Sequence, residues 1–412
     1  MTSVVDAGRR GESLFLMARS ASTMGDNMYT VAVVFAALRA GGSGAIGLVL
    51  AAEMLPKLLL SSLAGMASDR WRPGTILALG DWAAGCVTAF VAVMIATGHN
   101  SVVMLVAASV LLGAATSFFD PAALKLISTG FAKERRKDLN ANLGIASSVS
   151  RVLGPTLAGL LVAAAGTASV VALNGLSFLA SALLFTAVGR TVPRESGKRQ
   201  IHGGEDTEGV ATGFRDYFRI GWLWRLGVQT NVVLLFGVAL LNVAGPVYAA
   251  QAHGGAKAWG LVQACNGAGW FVGRLAARRH HFQRPAQAAA VCLFTVALPV
   301  LVIGVNGGLP ALAAAQAVSG CGLALRSTLW GGLVATAIDE SVIGRIVSVE
   351  QVMGLLTASV SMAAVGELVS ALGLRVMPLI GFTAVVVISA AVAAAPALRR
   401  LTEPSPAQEM SS

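Results

Sequence analysis

The stretch 44–98, GAIGLVLAAEMLPKLLLSSLAGMASDRWRPGTILALGDWAAGCVTAFVAVMIATG, holds two apolar runs, 44–65 and 75–97, parted by a short turn carrying Asp69, Arg70 and Arg72. A hydrocarbon core of about 30 Å is crossed by roughly 20 helical residues, so each run is of span length. In lipid the backbone must satisfy its own hydrogen bonds, and a run of this length does so as a helix. Outward from this pair the pattern repeats. The first half gives runs near 14–38, 44–65, 75–97, 101–128, 142–165 and 168–189; the second gives 222–250, 257–275, 286–305, 309–335, 343–372 and 375–397. The expected fold is an all-α membrane protein, with twelve transmembrane helices in two pseudo-symmetric six-helix bundles.

Composition agrees. Of 412 residues, 55% are hydrophobic and 12% charged, against roughly 25% charged in soluble domains, and the mean hydropathy is +0.73. The net charge of +10 is dispersed in short clusters between runs, not gathered on one face, so it predicts no nucleic-acid partner. Arg9, Arg10, Arg70, Arg72, the 133–137 cluster, Arg278, Arg279, Arg284, Arg345, Arg399 and Arg400 all fall on one side of the spans, whereas the other side offers Arg39, Lys257 and Arg375. The positive-inside rule then predicts cytoplasmic termini, with outward turns near Gly98, Gly166, Asn306 and Gly373. The first run follows Arg9 and Arg10 but has span length and no small-residue cleavage site, so a retained helix is expected.

The polar stretch from Arg190 to Ile220 divides the chain into a bundle at 1–189, a cytoplasmic linker at 190–221 and a second bundle with a short tail at 222–412. Phe214, Tyr217, Phe218 and Trp222, interleaved with Arg215, Asp216 and Arg219, predict an amphipathic segment at the linker's end. Gly65–Arg70 after the second span has an echo in Gly273–Arg278 after the eighth, as duplicated transporters have. Trp222, Trp224, Trp259 and Trp270 near span ends read as interfacial anchors.

Several chemistries are absent from the pattern. Ser196-Gly197-Lys198-Arg199 lacks the upstream Gly and the hydroxyl of a phosphate-binding loop. Cys86, Cys265, Cys292 and Cys321 lie singly in apolar runs, and His280 and His281 are adjacent and point to different helix faces, so no metal, cofactor or disulfide is expected. No nucleophile elbow or placed carboxylate pair suggests an enzyme.

Charged groups at membrane depth cost about 2.5–3.5 kcal/mol each on insertion scales and therefore point to function. On the first span Arg19, Ser22, Thr23, Asp26, Tyr29 and Thr30 recur at three- and four-residue spacing and form one polar stripe. Asp26, at mid-span, is a carboxyl whose protonation can respond to which side of the membrane is open, making it the first proton-coupling candidate. Glu53 is the second. It stands four residues before Lys57 in the favourable order for a helical ion pair, and a self-neutralising pair is the competing reading. Asp81, Asp120, Glu350 and Glu367 are further embedded charges without assignable partners. Tyr29, Asn231, Asn242, Asn266 and Arg326 are candidates for the substrate cavity by depth and polarity, with Arg151 and Arg326 suited to anionic or carbonyl-bearing compounds.

Gly65-Met66-Ala67-Ser68-Asp69-Arg70-Trp71-Arg72-Pro73-Gly74 resembles the signature loop G-x-L-A-D-R-x-G-R of the major facilitator superfamily, departing from it at Met66, Ser68 and Pro73-Gly74. Ser150-Arg151-Val152-Leu153-Gly154-Pro155-Thr156-Leu157-Ala158-Gly159 resembles that superfamily's antiporter motif, G-P-x-x-G-G, with Ala158 in place of a glycine. With Phe119-Asp120-Pro121-Ala122, Asn140-Ala141-Asn142 and Gly344-Arg345, the chain is similar to bacterial drug and siderophore exporters of the enterobactin-exporter and macrolide-efflux type. The resemblance implies a gate formed by Gly65, Asp69, Arg70, Arg278 and Arg345, a sealing helix built on Arg151, Gly154, Pro155 and Gly159, and proton-driven efflux across the bacterial cytoplasmic membrane. The expected partners are a small amphipathic molecule (an antibiotic, siderophore or other secondary metabolite), protons and the lipid bilayer, with a monomer sufficient. Uptake by symport and a non-transporting membrane sensor or scaffold are the alternatives.

Overall fold

A computed structural model describes residues 2–191, 207–252, 254–280 and 282–399; residues 192–206 of the expected linker and the tail from 400 lie outside the described residues. Every regular element among the described residues is helical. Among the described residues, seven helices are long and apolar enough to cross a membrane, and three of these are bent pairs, broken at Gly41–Gly42, Gly166 and Gly373. Two more helices, Gly255–Arg279 and Leu309–Ala337, have span length at lower hydropathy because they carry Lys257, Arg274, Gln316 and Arg326. Twelve span-length segments result among the described residues, as the sequence predicts.

We number the helices α1 (2–40), α2 (43–70), α3 (Pro73–Ala96), α4 (Val102–Gly130), α5 (133–165), α6 (167–191), α7 (Thr207–Arg219), α8 (221–252), α9 (Gly255–Arg279), α10 (Pro285–Gly304), α11 (Leu309–Ala337), α12 (340–372), α13 (374–394) and α14 (Pro396–Arg399). The turns explain how spans of this length reverse so abruptly. Gly166 and Gly373 each combine a positive φ with an extended ψ, a conformation that a Cβ forbids, so one residue ends a helix and starts the next. Prolines mark the bends within spans. Pro121 has no amide for the Ser117 carbonyl, and α4 breaks at 117–118; Pro299 does the same to Thr295, where α10 tightens into a 3₁₀ turn over Leu293–Val296.

The chain forms two compact units, one of residues 1–205 with 249–264, the other of 206–248 with 265–412. In the first, Phe15 of α1 meets Phe131 and Phe185 at ring-centroid distances of 5.8 and 5.9 Å, with Leu77, Leu126 and Val188 around them. In the second, Tyr217 of α7 joins Trp222, Leu226, Leu333 and Val349 in one buried cluster. Elsewhere Val103, Leu124, Leu176, Leu183, Val360 and Val387 stand exposed. In water such a surface would aggregate; against acyl chains it is matched.

The expected tryptophan anchors divide. Trp222 and Trp259 are buried, Trp222 edge-on to Trp330, whereas Trp224 and Trp270 keep partial exposure and carry Arg225 and Arg274 over their rings. Proximity to a span end does not reveal which way an indole faces, and two of the four point into protein.

Candidate functional site

In the first unit the polar stripe of α1 is held from two sides. At Gly25 a Cβ would collide with Asn174 and Ser177 of α6, and Asn27 lies against Gly154 of α5, whose Cβ position is 2.6 Å from that of Asn27. Close approach on both flanks fixes the rotation of α1 and leaves Arg19, Thr23, Asp26 and Thr30 on the remaining face. Asp26 is partly exposed, and its carbonyl accepts a hydrogen bond from the Thr30 hydroxyl at 2.9 Å. Tyr29 is buried.

A cavity of about 290 Å³ opens along this stripe, lined by Phe15, Arg19, Ser20 and Thr23 of α1, Ala123 and Ile127 of α4, and Leu143, Gly144, Ala146 and Ser147 of α5. One cation, several hydroxyls and apolar walls suit a small amphipathic molecule, and the volume is at the lower end for ligand sites. Arg19 reaches Asp120 at 3.5 Å and stacks over Phe119 at 4.0 Å, which ties α1 to α4 where α4 bends.

On α2 the Glu53–Lys57 ion pair forms at 2.7 Å, each side chain about one-third exposed or less (27% and 33%). α4 runs against it so closely that a Cβ at Gly113 would strike the Glu53 backbone. Asp81 of α3 is 1% exposed, and its Oδ2 has no hydrogen-bond partner among the described residues. Sequence alone marks Asp81 as embedded without indicating this burial.

The motif residues follow different rules. Gly65 has open space where a Cβ would stand, Arg70 is exposed, and Asp69 lies on α2. Arg278 is exposed at the end of α9, while Arg345 pairs with Asp216 of α7 at 3.7 Å. Arg151 faces outward on α5, and Pro155 is buried. Gly159 is a contact point: its missing Cβ would stand 2.6 Å from the Ala256 carbonyl and 3.2 Å from Gly260 Cα on α9. Two helices can cross this closely only with glycine on both.

In the second unit three of the four cavity candidates, Asn231, Asn266 and Arg326, hold helices together. Asn231 donates to the Gly227 carbonyl at 2.8 Å and accepts from the Thr357 hydroxyl at 2.6 Å, linking α8 to α12. Asn242 donates to the Val238 carbonyl at 3.0 Å beside the π-helical turn Leu234–Val238. Asn266 donates to Gln316, tying α9 to α11. Arg326 is 8% exposed; its Nη2 donates to Thr230 Oγ1 at 2.6 Å, Glu350 Oε1 lies at 3.9 Å, and the guanidinium stands 4.9 Å over Trp330. Trp330 follows Arg326 by one turn of α11, whereas Thr230 comes from α8 and Glu350 from α12, and no sequence period joins those two to the arginine. On α7, outside the spans, burial pushes the Tyr217 hydroxyl above its ordinary range, so it stays protonated.

Comparisons with known proteins fit this architecture. A family model described as Major Facilitator Superfamily matches residues 15–307. The multidrug efflux pump Tap of Mycobacterium bovis and of Mycobacterium tuberculosis is 23% identical over 377 residues, covering 88% of this chain and 88% of Tap. Two solved structures share the fold: a bacterial homologue of the iron transporter ferroportin in an inward-facing state (TM-score 0.72, 16% identity, 94% of this chain and 99% of that one), and a bacterial homologue of the human lysosomal transporter Spinster (TM-score 0.71, 14% identity, 94% and 97%).

Proposed function

The chain belongs to the Major Facilitator Superfamily, and from that premise we propose that it exports a small amphipathic compound in exchange for protons, by alternating access. The observation that carries this reading is the α1 stripe, where Asp26 stands one turn from Thr23 in a cavity wall that combines Arg19, hydroxyls and apolar surface. The likeness to the efflux pump Tap supports the outward direction.

In this reading Asp26 carries the proton. A carboxyl at membrane depth is costly as a bare charge, so its protonation state depends on whether it meets the acidic or the cytoplasmic side. Substrate and proton then alternate near one cavity. Glu53 is a second carrier that exchanges Lys57 for a proton during the cycle. Gly65, Asp69, Arg70, Arg278 and Arg345 gate the cytoplasmic side, where both termini lie, and Arg151, Gly154, Pro155 and Gly159 seal the outer one. Two six-helix bundles, at 1–189 and 222–412 about a linker at 190–221, move against each other around the substrate, and a monomer suffices. Tyr29, Asn231, Asn242, Asn266 and Arg326 contribute polar contacts to the transported molecule.

The test is substrate-induced proton movement in everted membrane vesicles, screened over antibiotics and siderophores. Proton release from the acidified lumen on adding one compound, lost when Asp26 is changed to Asn, is the expected result. Export that runs unchanged without a proton gradient, or that survives both Asp26→Asn and Glu53→Gln, would overturn the coupling.

A further inference from the structure

The buried guanidinium of the second unit is under-used. Arg326 has five N–H donors in a rigid fork, yet one short hydrogen bond, to Thr230, is made by its Nη2, and its Nε is buried with no partner among the described residues. Its counter-ion is Glu350 at 3.9 Å, about an ångström beyond the 2.7–2.9 Å or so of a charge-assisted fork. A pair that served only to fix α11 on α12 would close that gap, because an unmade donor in a low-dielectric interior is the costly alternative.

Glu350 has room to move in this arrangement, since about a fifth of its side chain (21%) is exposed. It can therefore give way if a stronger acceptor takes the arginine. The pair reaches a surface, with 10% of the Arg326 side chain and 21% of the Glu350 side chain exposed. Trp330, under the guanidinium plane, packs against the buried cluster that holds Trp222, Leu226, Leu333 and Val349. Tyr217 and Cys292 are the other ionisable groups within electrostatic reach of Arg326, and both are neutral in their ordinary state at pH 7. One positive charge in an apolar, aromatic wall is thus balanced by one displaceable negative charge.

We propose that Arg326 is a carboxylate-binding subsite, in which the acidic group of an amphipathic organic acid takes the Nε edge of the guanidinium and displaces Glu350. A monoanion is indicated over a phosphate dianion, because a single arginine supplies one compensating charge and the neighbouring groups add none. The proposal rests on the transport reading and narrows its substrate class to compounds with an apolar body and a carboxylate.

The experiment follows tryptophan fluorescence of the full chain in lipid nanodiscs, because Trp330 lies beside the site. The probes are 4-phenylbutanoate and its neutral amide. The acid should give a saturable signal, and the amide should bind at least about tenfold more weakly. Arg326→Lys keeps the charge and loses the fork, and should weaken the acid about tenfold, whereas Glu350→Gln, by removing the competing carboxylate, should tighten it. Equal binding of acid and amide, or absence of any response to the acid, overturns the subsite. So does unchanged affinity in Arg326→Lys, which decides the matter if Glu350→Gln does not fold. The readout needs no transport: vesicles that export neutral or cationic compounds, alongside nanodiscs with no preference for the acid, would leave the transport reading standing and remove this subsite.

Discussion

The intramembrane charges of the two units are arranged on opposite plans. In the first unit most of them are half-open: Glu53 and Lys57 pair one turn apart on a single helix, Arg19 meets an Asp120 that is 90% exposed, and the partly exposed Asp26 stands one turn from Thr23 of the cavity wall, with the buried Asp81 as the exception. In the second unit Arg326 and Glu350 lie on different helices and are largely buried. Open charges can change partner or proton at small cost; buried ones are held by whatever replaces water. Under the proposed function the first unit handles the protons, and the second holds a charge against a partner.

The largest effect expected from breaking this contrast is on stability in the second unit. Arg326→Met leaves Glu350 uncompensated and should lower stability by about 3–5 kcal/mol, while the double change Arg326→Met with Glu350→Met should recover most of it. Thermal unfolding in detergent measures both, and a double variant as unstable as the single one would deny the pair. Next comes Asp26→Asn, which should leave unfolding nearly unchanged while cutting gradient-driven export about 100-fold, equivalent to about 2.7 kcal/mol.

Gly154→Val drives a branched side chain into Asn27 and should cost about 1–3 kcal/mol through overpacking, visible both in unfolding and as a lower export rate. Smaller still is Lys57→Met. Its pair is partly exposed and lies within one helix, so about 1 kcal/mol or less is expected, and a loss comparable to that of Arg326→Met would erase the distinction between the units. The smallest effect belongs to Gly65→Ala, within about 1 kcal/mol, because the site is helical with open space beside it. Together the two glycine variants ask whether motif glycines matter by packing or by motif membership.

Much of the architecture is legible in the chain. Span number follows from run length, because a helix in lipid has one way to satisfy its amides. The turns at Gly98, Gly166, Asn306 and Gly373 are foreseen from residue type, and all four have positive φ. The Glu53–Lys57 pair is readable because four residues make one turn. Contacts between helices follow no such rule. Arg326 and Trp330 are also one turn apart, but nothing in the spacing says that Thr230 and Glu350 meet them, and Asn266 reads equally well as a cavity residue or as the tie to Gln316 that it is.

What the sequence determined by itself, then, is every property that depends on residues within one helical turn or one membrane thickness: the spans, their glycine turns, the polar stripe of α1 and the intrahelical ion pair. Tertiary structure alone decided which face of each helix is covered. It placed Trp222 and Trp259 in protein, closed Gly159 onto Gly260, and left Arg326 buried with a donor to spare. The physical reason is that lipid and protein interior are nearly equally apolar, so hydrophobicity puts a residue in the membrane without saying what it touches there.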